Sequence, residues 1–428
     1  MGQAAFEPVL TAGIGRLELE NIEVYESRGG YQALRKALRS MTPAEVQKEV
    51  TDSGLRGRGG AGFPTGRKWG FLPNDGRPRY LVCNADESEP GTFKDRLLIE
   101  RNPHLVVEGV LLAAYAIGAA RAFIYLRGEF RQGYEILSRA LEQARRRGYV
   151  GERILGSDFS VEVVIHRGAG AYICGEETGL LNSLEGRRGE PRLKPPFPAS
   201  VGLYGMPTVV NNVETLACVP FIVARGARWF ASIGPEKSPG PKIFSVSGRV
   251  RRPGNYELPL GIPLRELLWE HAGGPLPGRR FKAVQPGGGS SPLLVPEQLD
   301  VPMDFDSVAR VGSMLGSGGV IVLDDRDCVV EAARILTEFY AHESCGQCTP
   351  CREGLHWLAR ILARLESGGG RPEDLEVLRS TPPFIAGRTI CPLADAGVGF
   401  LRSSLQHFPE EYQAHVQHGR CTREAKTA

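Results

Sequence analysis

At 428 residues the chain exceeds what one hydrophobic core organises, so two to four domains are expected. Its 52 Lys plus Arg against 49 Asp plus Glu leave a formal charge of +3, which excludes the basic excess of a nucleic-acid binder and any electrostatic pull towards a membrane surface. The nine cysteines are odd in number and scattered, and residues 1–10 lack the cationic start and apolar run of a secretory signal, so the expectation is a reducing compartment without a disulfide framework.

Residues 1–28 have weak periodicity and read as a partly ordered arm. Helices follow over 31–39 and 42–52, the second with Thr42 as N-cap and Pro43 in the first position. Residues 53–69 then place six glycines among Arg56, Arg58, Arg67 and Lys68, with Phe63 and Trp69 alongside. Glycines let backbone N–H groups close on an anion, cations answer phosphate, and aromatic faces answer a ring. The literal pattern Gly57-x-Gly59-x-x-Gly62 matches a dinucleotide fingerprint, but a helix precedes it and Pro64 follows it. That fingerprint needs a strand before and a helix after. The stretch therefore reads as a phosphate cradle of another kind, the alternative being a surface loop.

A strand over 79–83 delivers Asn84 and the carboxylates Asp86, Glu87 and Glu89 onto one loop. Beside phosphate they must accept from ring, amide or ribose donors; a solvated acidic turn or a divalent-metal site are the other readings. The most apolar segment, 110–126, is interrupted by Arg121 and fits a buried helix (104–118) and a strand (122–127) better than a membrane span. An amphipathic helix over 129–148 and a strand over 159–166 lead to a second glycine turn, 167–178, and a short helix, 179–184. Alternating strands and helices predict an α/β sandwich. Residues 194–198 form a stiff segment presenting Phe197, and Asn211 with Glu214 has the spacing of a capping box opening a helix.

A Pro/Gly-rich linker is expected over 234–241. Beyond it, strands at 242–250 and 256–260, a helix at 264–271 and a strand at 281–285 suggest a β-grasp-like domain reaching about residue 322. Helical periodicity over 327–343 and 355–365, broken at 367–371, predicts a terminal helical bundle.

Cys345, Cys348 and Cys351 stand at two-residue intervals, and Cys391 is followed by Pro392. Structural zinc usually draws two separated pairs, whereas three close thiols plus a remote Cys-Pro fit a [4Fe–4S] cluster; zinc remains the alternative. Cys83, Cys174, Cys218, Cys328 and Cys421 lack such spacing and read as core thiols. A hydride donor gives two electrons and a cluster takes one, so a flavin is the expected converter.

Taken together, segments 54–68, 84–91, 168–186, 211–215 and 343–354 resemble the family of NADH-binding flavoprotein subunits of respiratory complex I, nearly throughout the chain beyond residue 29. The resemblance implies an arm (1–28), an α/β FMN- and NADH-binding domain with Rossmann-like features (29–238), a β-grasp (ubiquitin-like) domain (239–324) and a helical iron–sulfur domain (325–428). It implies FMN contacts at Gly57, Arg58, Gly59, Gly60, Lys68, Asn84, Asp86, Glu87, Gly175, Glu176, Glu177, Asn211 and Asn212. For NADH it implies Phe63, Phe71 and Phe197 near the adenine, and Glu89, Tyr172, Glu177 and Lys194 near the nicotinamide and ribose. Cys345, Cys348, Cys351 and Cys391 would hold the cluster. Hydride would pass directly to FMN with no side chain as acid or base, Glu89 and Glu177 tuning binding. The implied partners are a thioredoxin-like [2Fe–2S] subunit and a large multi-cluster subunit, in the cytoplasmic peripheral arm of an inner-membrane-attached complex. Gly179 and Arg67 stand where the family is commonly apolar, and Gly397 and Gly399 where it often has Ala and Trp. The rival readings are the same module in an NAD-reducing hydrogenase or formate dehydrogenase, and a non-catalytic zinc-binding scaffold.

Overall fold

The structure is a computed structural model that describes residues 6–421. Four parallel strands, β1 (Arg79–Ala85), β2 (Ala119–Leu126), β3 (Glu162–Arg167) and β4 (Thr208–Asn212), form one sheet in the order β3-β2-β1-β4. Strand alternation divides their side chains between two cores: Leu81, Cys83 and Ala85 of β1 enter one, Val82 the other. On the first face lies the helix Pro103–Ile117, which is apolar nearly all round, buried along almost its whole length and stopped by the left-handed Gly118. The helix Val213–Arg225 packs beside it. Because β1, β2 and β3 step outward in one direction and β4 joins the opposite edge of β1, the topology switches between β1 and β4. Open parallel sheets bind ligands outside the carboxyl ends of the strands at such a point.

A second sheet, β5 (Pro241–Gly248), β6 (Gly254–Pro259), β7 (Phe281–Gln285) and β8 (Gly319–Asp324), has the order β6-β5-β8-β7. Its outer pairs are antiparallel and the central β5–β8 pair is parallel. It has a core of its own, in which Phe244, Val246, Leu264, Leu267 and Val322 are buried. The last region is helical: Val329–Glu343, Thr349–Glu366, Pro372–Ser380, Leu393–His407 and Pro409–His418. Tyr340, Leu355, Leu362 and Leu401 fill one core with Ile173, Leu180 and Leu181 of the first domain. The helical region is thus packed onto the parallel sheet's second face.

Several sequence expectations give way here. In the expected arm, Ile22–Ser27 is a helix capped by Asn21, and the N–H groups of Val9, Leu10 and Thr11 donate to the Glu257 carboxylate on β6 at 2.8, 2.9 and 2.7 Å. The arm lacks periodicity because a distant carboxylate holds it. The expected linker is packed too: Ser238 is buried, and a Cβ at Gly240 would fall 2.0 Å from the Phe230 ring. The N-cap of Val213–Arg225 is Asn212, whose side chain accepts from Glu214 and Thr215 N–H; Asn211 is still in β4. The helix expected over 355–365 begins at Thr349.

Candidate functional site

The carboxyl ends of β1 and β4 bring Asn84 level with Asn212 and Cys83 level with Asn211. Asn84 donates to the Gly175 carbonyl at 2.8 Å, fastening the second glycine turn over the end of β1. Asn211 accepts from the Trp69 indole N–H at 2.8 Å. Trp69 is therefore buried core of the cradle and no open ring platform. Asp86 lies just past β1, and its Oδ2 is buried with no hydrogen-bond partner. Burial pushes its carboxyl up to about 7, against the pull of Arg127.

The glycine stretch runs from the helix Pro43–Asp52 to the short helix Thr65–Trp69, with no strand before it, as its context predicts. It closes on itself through Gly57 N–H to Phe63 O (2.9 Å) and Thr65 N–H to Leu55 O (2.8 Å). Arg58 N–H donates to the Thr215 hydroxyl at 2.8 Å, and the loop passes so close to β4 that a Cβ on Gly59 would lie 3.0 Å from Asn212 Cβ. Gly62 has φ +63°, and a Cβ there would meet the Phe305 ring at 2.5 Å, so glycine is required. The Arg58 side chain is fully buried; one arm donates to Pro239 O at 2.8 Å, while Nε and Nη1 are unpartnered. Orphaned polar atoms at Arg58 and Asp86, together with a backbone approachable at Gly59 and Gly60, suit a polar, phosphorylated ring compound.

Charge lines the rim. Glu177 pairs with Lys68 at 2.7 Å and Lys194 at 3.1 Å, and Lys194 also reaches Glu176 at 2.8 Å. Burial works against ionisation of Glu177, but the two lysines outweigh it and hold its carboxyl below the usual range. Glu176 caps the helix Glu177–Leu184 through Thr178 and Gly179 N–H. Phe63 and Phe71 are 43% and 51% exposed with ring centroids 5.9 Å apart, and the Arg67 guanidinium stands 6.0 and 5.9 Å from them. Arg67 thus stacks on the aromatic pair instead of supplying apolar bulk. Phe197 is exposed as well.

Two of the three loop carboxylates turn elsewhere. Glu87 accepts from Asp95 and Arg96 N–H at 2.8 and 2.9 Å, neutralising the start of the helix Lys94–Arg101. Glu89 accepts from Tyr172 OH at 2.7 Å and Ser290 N–H at 2.7 Å, and burial raises its carboxyl. It joins the first domain to the β7 turn, and its hydroxyl partner Tyr172 packs edge-on against Phe339 and Tyr340 of the helical region. Sequence reasoning missed the buried ion network under the crevice. Lys94 contacts Asp95 and Glu214 at 2.8 Å each, Lys242 pairs with Glu214 at 2.7 Å, and Asp95 accepts from Asn212 at 2.6 Å. Only Glu214 carried a sequence signal, as an assumed capping partner.

The cysteines form a separate site. The loop between Val329–Glu343 and Thr349–Glu366 carries Cys345 and Cys348, with Cys351 in the next helix's first turn, and Cys391 precedes Leu393–His407. Left-handed Gly346 (φ +83°) turns the loop, and the Arg352 guanidinium fastens it by donating to Gly346 O at 2.7 Å. All four cysteines line one small cavity with Ile173, Ile390 and Leu393. Cys391 is pushed up to about 12 by burial and by Cys345 and Cys351, so its thiolate needs metal charge to form. The turn Tyr172–Gly175 is a wall of both sites: Gly175 O holds Asn84, while Ile173 lines the cysteine cavity.

Residues 50–221 match the family described as the Nuo51 FMN-binding domain, residues 331–415 the NADH-ubiquinone oxidoreductase-F iron-sulfur binding region, and residues 243–293 the SLBB domain. These define an oxidoreductase component with FMN and a [4Fe–4S] cluster as cofactors and NADH as substrate. The chain is 57% identical over 417 residues to the second NADH-quinone oxidoreductase F subunit of Rhizobium meliloti, covering 97% of this chain and 99% of that protein. It is 49% identical over 399 residues to the F subunit of the Escherichia coli enzyme, covering 92% and 90%. A crystal structure of NAD+-reducing [NiFe]-hydrogenase in the H2-reduced state superposes with TM-score 0.84 at 39% identity, over 96% of this chain and 67% of that one. The chain belongs to the family of NADH-quinone oxidoreductase F subunits.

Proposed function

We infer that this chain is the electron-input component of an NADH–quinone oxidoreductase, oxidising NADH at the β1/β4 crevice and delivering electrons to the four-cysteine cavity. The observation that carries this reading is the shared turn Tyr172–Gly175, which leaves the two sites only one turn of chain apart. When bound, FMN accepts an electron pair as hydride and releases electrons singly, and the cluster carries them one at a time.

The chain's own work is binding and orientation. Gly57, Gly59 and Gly60 leave backbone free to approach a phosphate, with Arg58 and Lys68 as the cations beside it. Asn84, Asp86, Asn211, Asn212, Gly175 and Glu176 surround the place for the ring. The unpartnered Asp86 Oδ2 is an acceptor for a ring N–H. Phe63, Phe71 and Phe197 offer faces for an adenine, and Glu177 with Lys194 faces the nicotinamide and ribose. Glu87, Glu89 and Tyr172 act as positioning residues, because their polar atoms are engaged within the protein. No side chain is required as general acid or base, since hydride transfer in a stacked pair needs only alignment.

The second sheet serves as the β-grasp-like domain and the terminal helices as the cluster domain. Exposed Ile335, Trp357 and Phe384, all in the cluster-bearing region, support docking of the thioredoxin-like [2Fe–2S] and multi-cluster subunits there. Among the described residues no helix is long and apolar enough to cross a membrane, which accords with a place in a peripheral arm. A second reading, the diaphorase part of an NAD-reducing hydrogenase, is favoured by the hydrogenase superposition. Affinity purification from the native cell separates them: quinone-reducing partners support the first reading, and hydrogenase components replace it with the second.

A further inference from the structure

We propose that the chain binds one zinc ion through Cys328, His415 and Cys421, beside the Glu366 carboxylate. The sulfurs of Cys328 and Cys421 and a His415 ring nitrogen all lie within 4.8 Å of one another. Cys328 Sγ lies 3.5 Å from His415 Nε2, and the Glu366 carboxylate borders the group at 3.7 Å from Cys328 Sγ and 3.0 Å from His415 Nε2. Zinc bonds of about 2.3 Å to sulfur and 2.0–2.2 Å to nitrogen or oxygen give edges of roughly 3.3–3.8 Å. The sulfur and nitrogen donors are a set that a borderline-soft divalent ion prefers.

The surroundings are built for a ligand. His415 Nδ1 lies 2.7 Å from the Glu411 carbonyl, which can only accept, so Nδ1 carries a proton and Nε2 faces the site. The ligands are 9%, 1% and 8% exposed at Cys328, His415 and Cys421, so the pocket is closed as structural zinc sites are. Glu366 is the last residue of its helix, and the chain beyond it turns at Gly368, where a Cβ would fall 2.8 Å from the Gly419 carbonyl. That close approach holds the segment carrying Cys421 beside the end of the helix Thr349–Glu366. Binding releases the thiol protons and any proton on Nε2, and no redox step is involved.

The site has a mechanical consequence. Cys328 is the N-cap of Val329–Glu343 and Glu366 ends Thr349–Glu366, so both lie at the ends of these helices remote from the cysteine loop. The first helix is about 22 Å long at 1.5 Å per residue. Zinc would tie Val329–Glu343 to Pro409–His418 at the far end, beside the end of Thr349–Glu366, while the cluster ties the two cluster-bearing helices at the near end.

The test is metal analysis of the full chain loaded with FMN and iron and grown with zinc. The expected result is one zinc per chain alongside four iron, with a zinc absorption edge showing two sulfur neighbours. The double variant Cys328→Ser, Cys421→Ser should lose the zinc while keeping iron, FMN and NADH-driven dye reduction, and should melt at lower temperature. Wild-type protein with less than a tenth of an equivalent of zinc would overturn the proposal. So would zinc retained by the double variant, which places it in the four-cysteine cavity, or a Cys328–Cys421 disulfide found by non-reducing mass spectrometry. If the double variant does not fold, the sulfur count at the wild-type zinc edge decides, with two supporting the site and four overturning it.

Discussion

The crevice at the β1 and β4 ends and the four-cysteine cavity share the turn Tyr172–Gly175 but are built in opposite ways. The crevice collects residues 57–68, 84–86, 175–177, 194 and 211–212, held by charge, amide hydrogen bonds and close backbone approach. The cavity takes three of its four thiols from seven consecutive residues and is otherwise lined by Ile173, Ile390 and Leu393 with the hydroxyl residues Ser344 and Thr389. A large ligand with a charged end and a flat ring needs many directions of contact. A compact cluster needs four bonds and the exclusion of water. Damage to the crevice should therefore be graded, and damage to the cavity all-or-none.

The sharpest test of that contrast is Cys348→Ala, which should take cluster iron to background and abolish electron delivery to partner subunits. NADH-dependent dye reduction should survive in large part, measured on the same preparation. Iron retained at the wild-type level would remove Cys348 from the ligand set.

Within the crevice the largest effect falls at Asp86. Its carboxyl titrates at about 7 in the folded chain because of burial, against about 3.9 when unfolded. The folded state binds the extra proton between those values, so the FMN-free chain loses stability as pH rises from about 4 to about 7. Asp86→Asn should remove that loss, gaining on the order of 2–4 kcal/mol at pH 8 and nothing at pH 4. Urea denaturation at both pH values checks it, and equal gains at both would contradict the assignment.

The rim pairs should matter less. Glu177 is held below the usual carboxylate range by Lys68 and Lys194, so its contribution is present above about pH 4.3 and is lost as pH falls through the lower folded value. Lys68→Ala should move that acid limb upward, cost roughly 1 kcal/mol in this partly buried pair, and weaken FMN retention. Smaller still is Phe63→Ala, which removes one exposed face of the Phe63–Phe71 pair. It should raise KM for NADH roughly 2- to 10-fold, the equivalent of about 0.5–1.5 kcal/mol of ring stacking, with kcat little changed.

The same contrast explains what could be read from the chain alone. The cysteine site was legible because its spacing is local and thiols have few other uses at that interval. The strands, the cradle and the helix order were legible from periodicity, glycine and capping residues such as Thr42. Directions of side chains were not. Asp86, Glu87 and Glu89 look alike in sequence, yet one is orphaned in the crevice, one caps a helix, and one bonds Tyr172 and Ser290 across a domain junction. Asn211 and Asn212 each suit a cap, and only the register of β4 against β1 decides between them. Lys94, Asp95 and Lys242 carry no local pattern, because their pairing is made through space. The grouping of Cys328, His415 and Cys421 is invisible for the same reason.

One turn of chain, Tyr172–Gly175, is proposed to separate the hydride-accepting site from the one-electron site. Anaerobic titration of the purified, cofactor-loaded chain with NADH tests it most directly, following flavin absorbance and the paramagnetic signal of the reduced cluster together. The flavin is expected to bleach while the cluster signal grows, and Cys348→Ala to keep the bleaching and lose the signal. A wild-type chain whose flavin bleaches while an intact cluster remains silent under a low-potential poise by NADH would contradict the connection between the two sites.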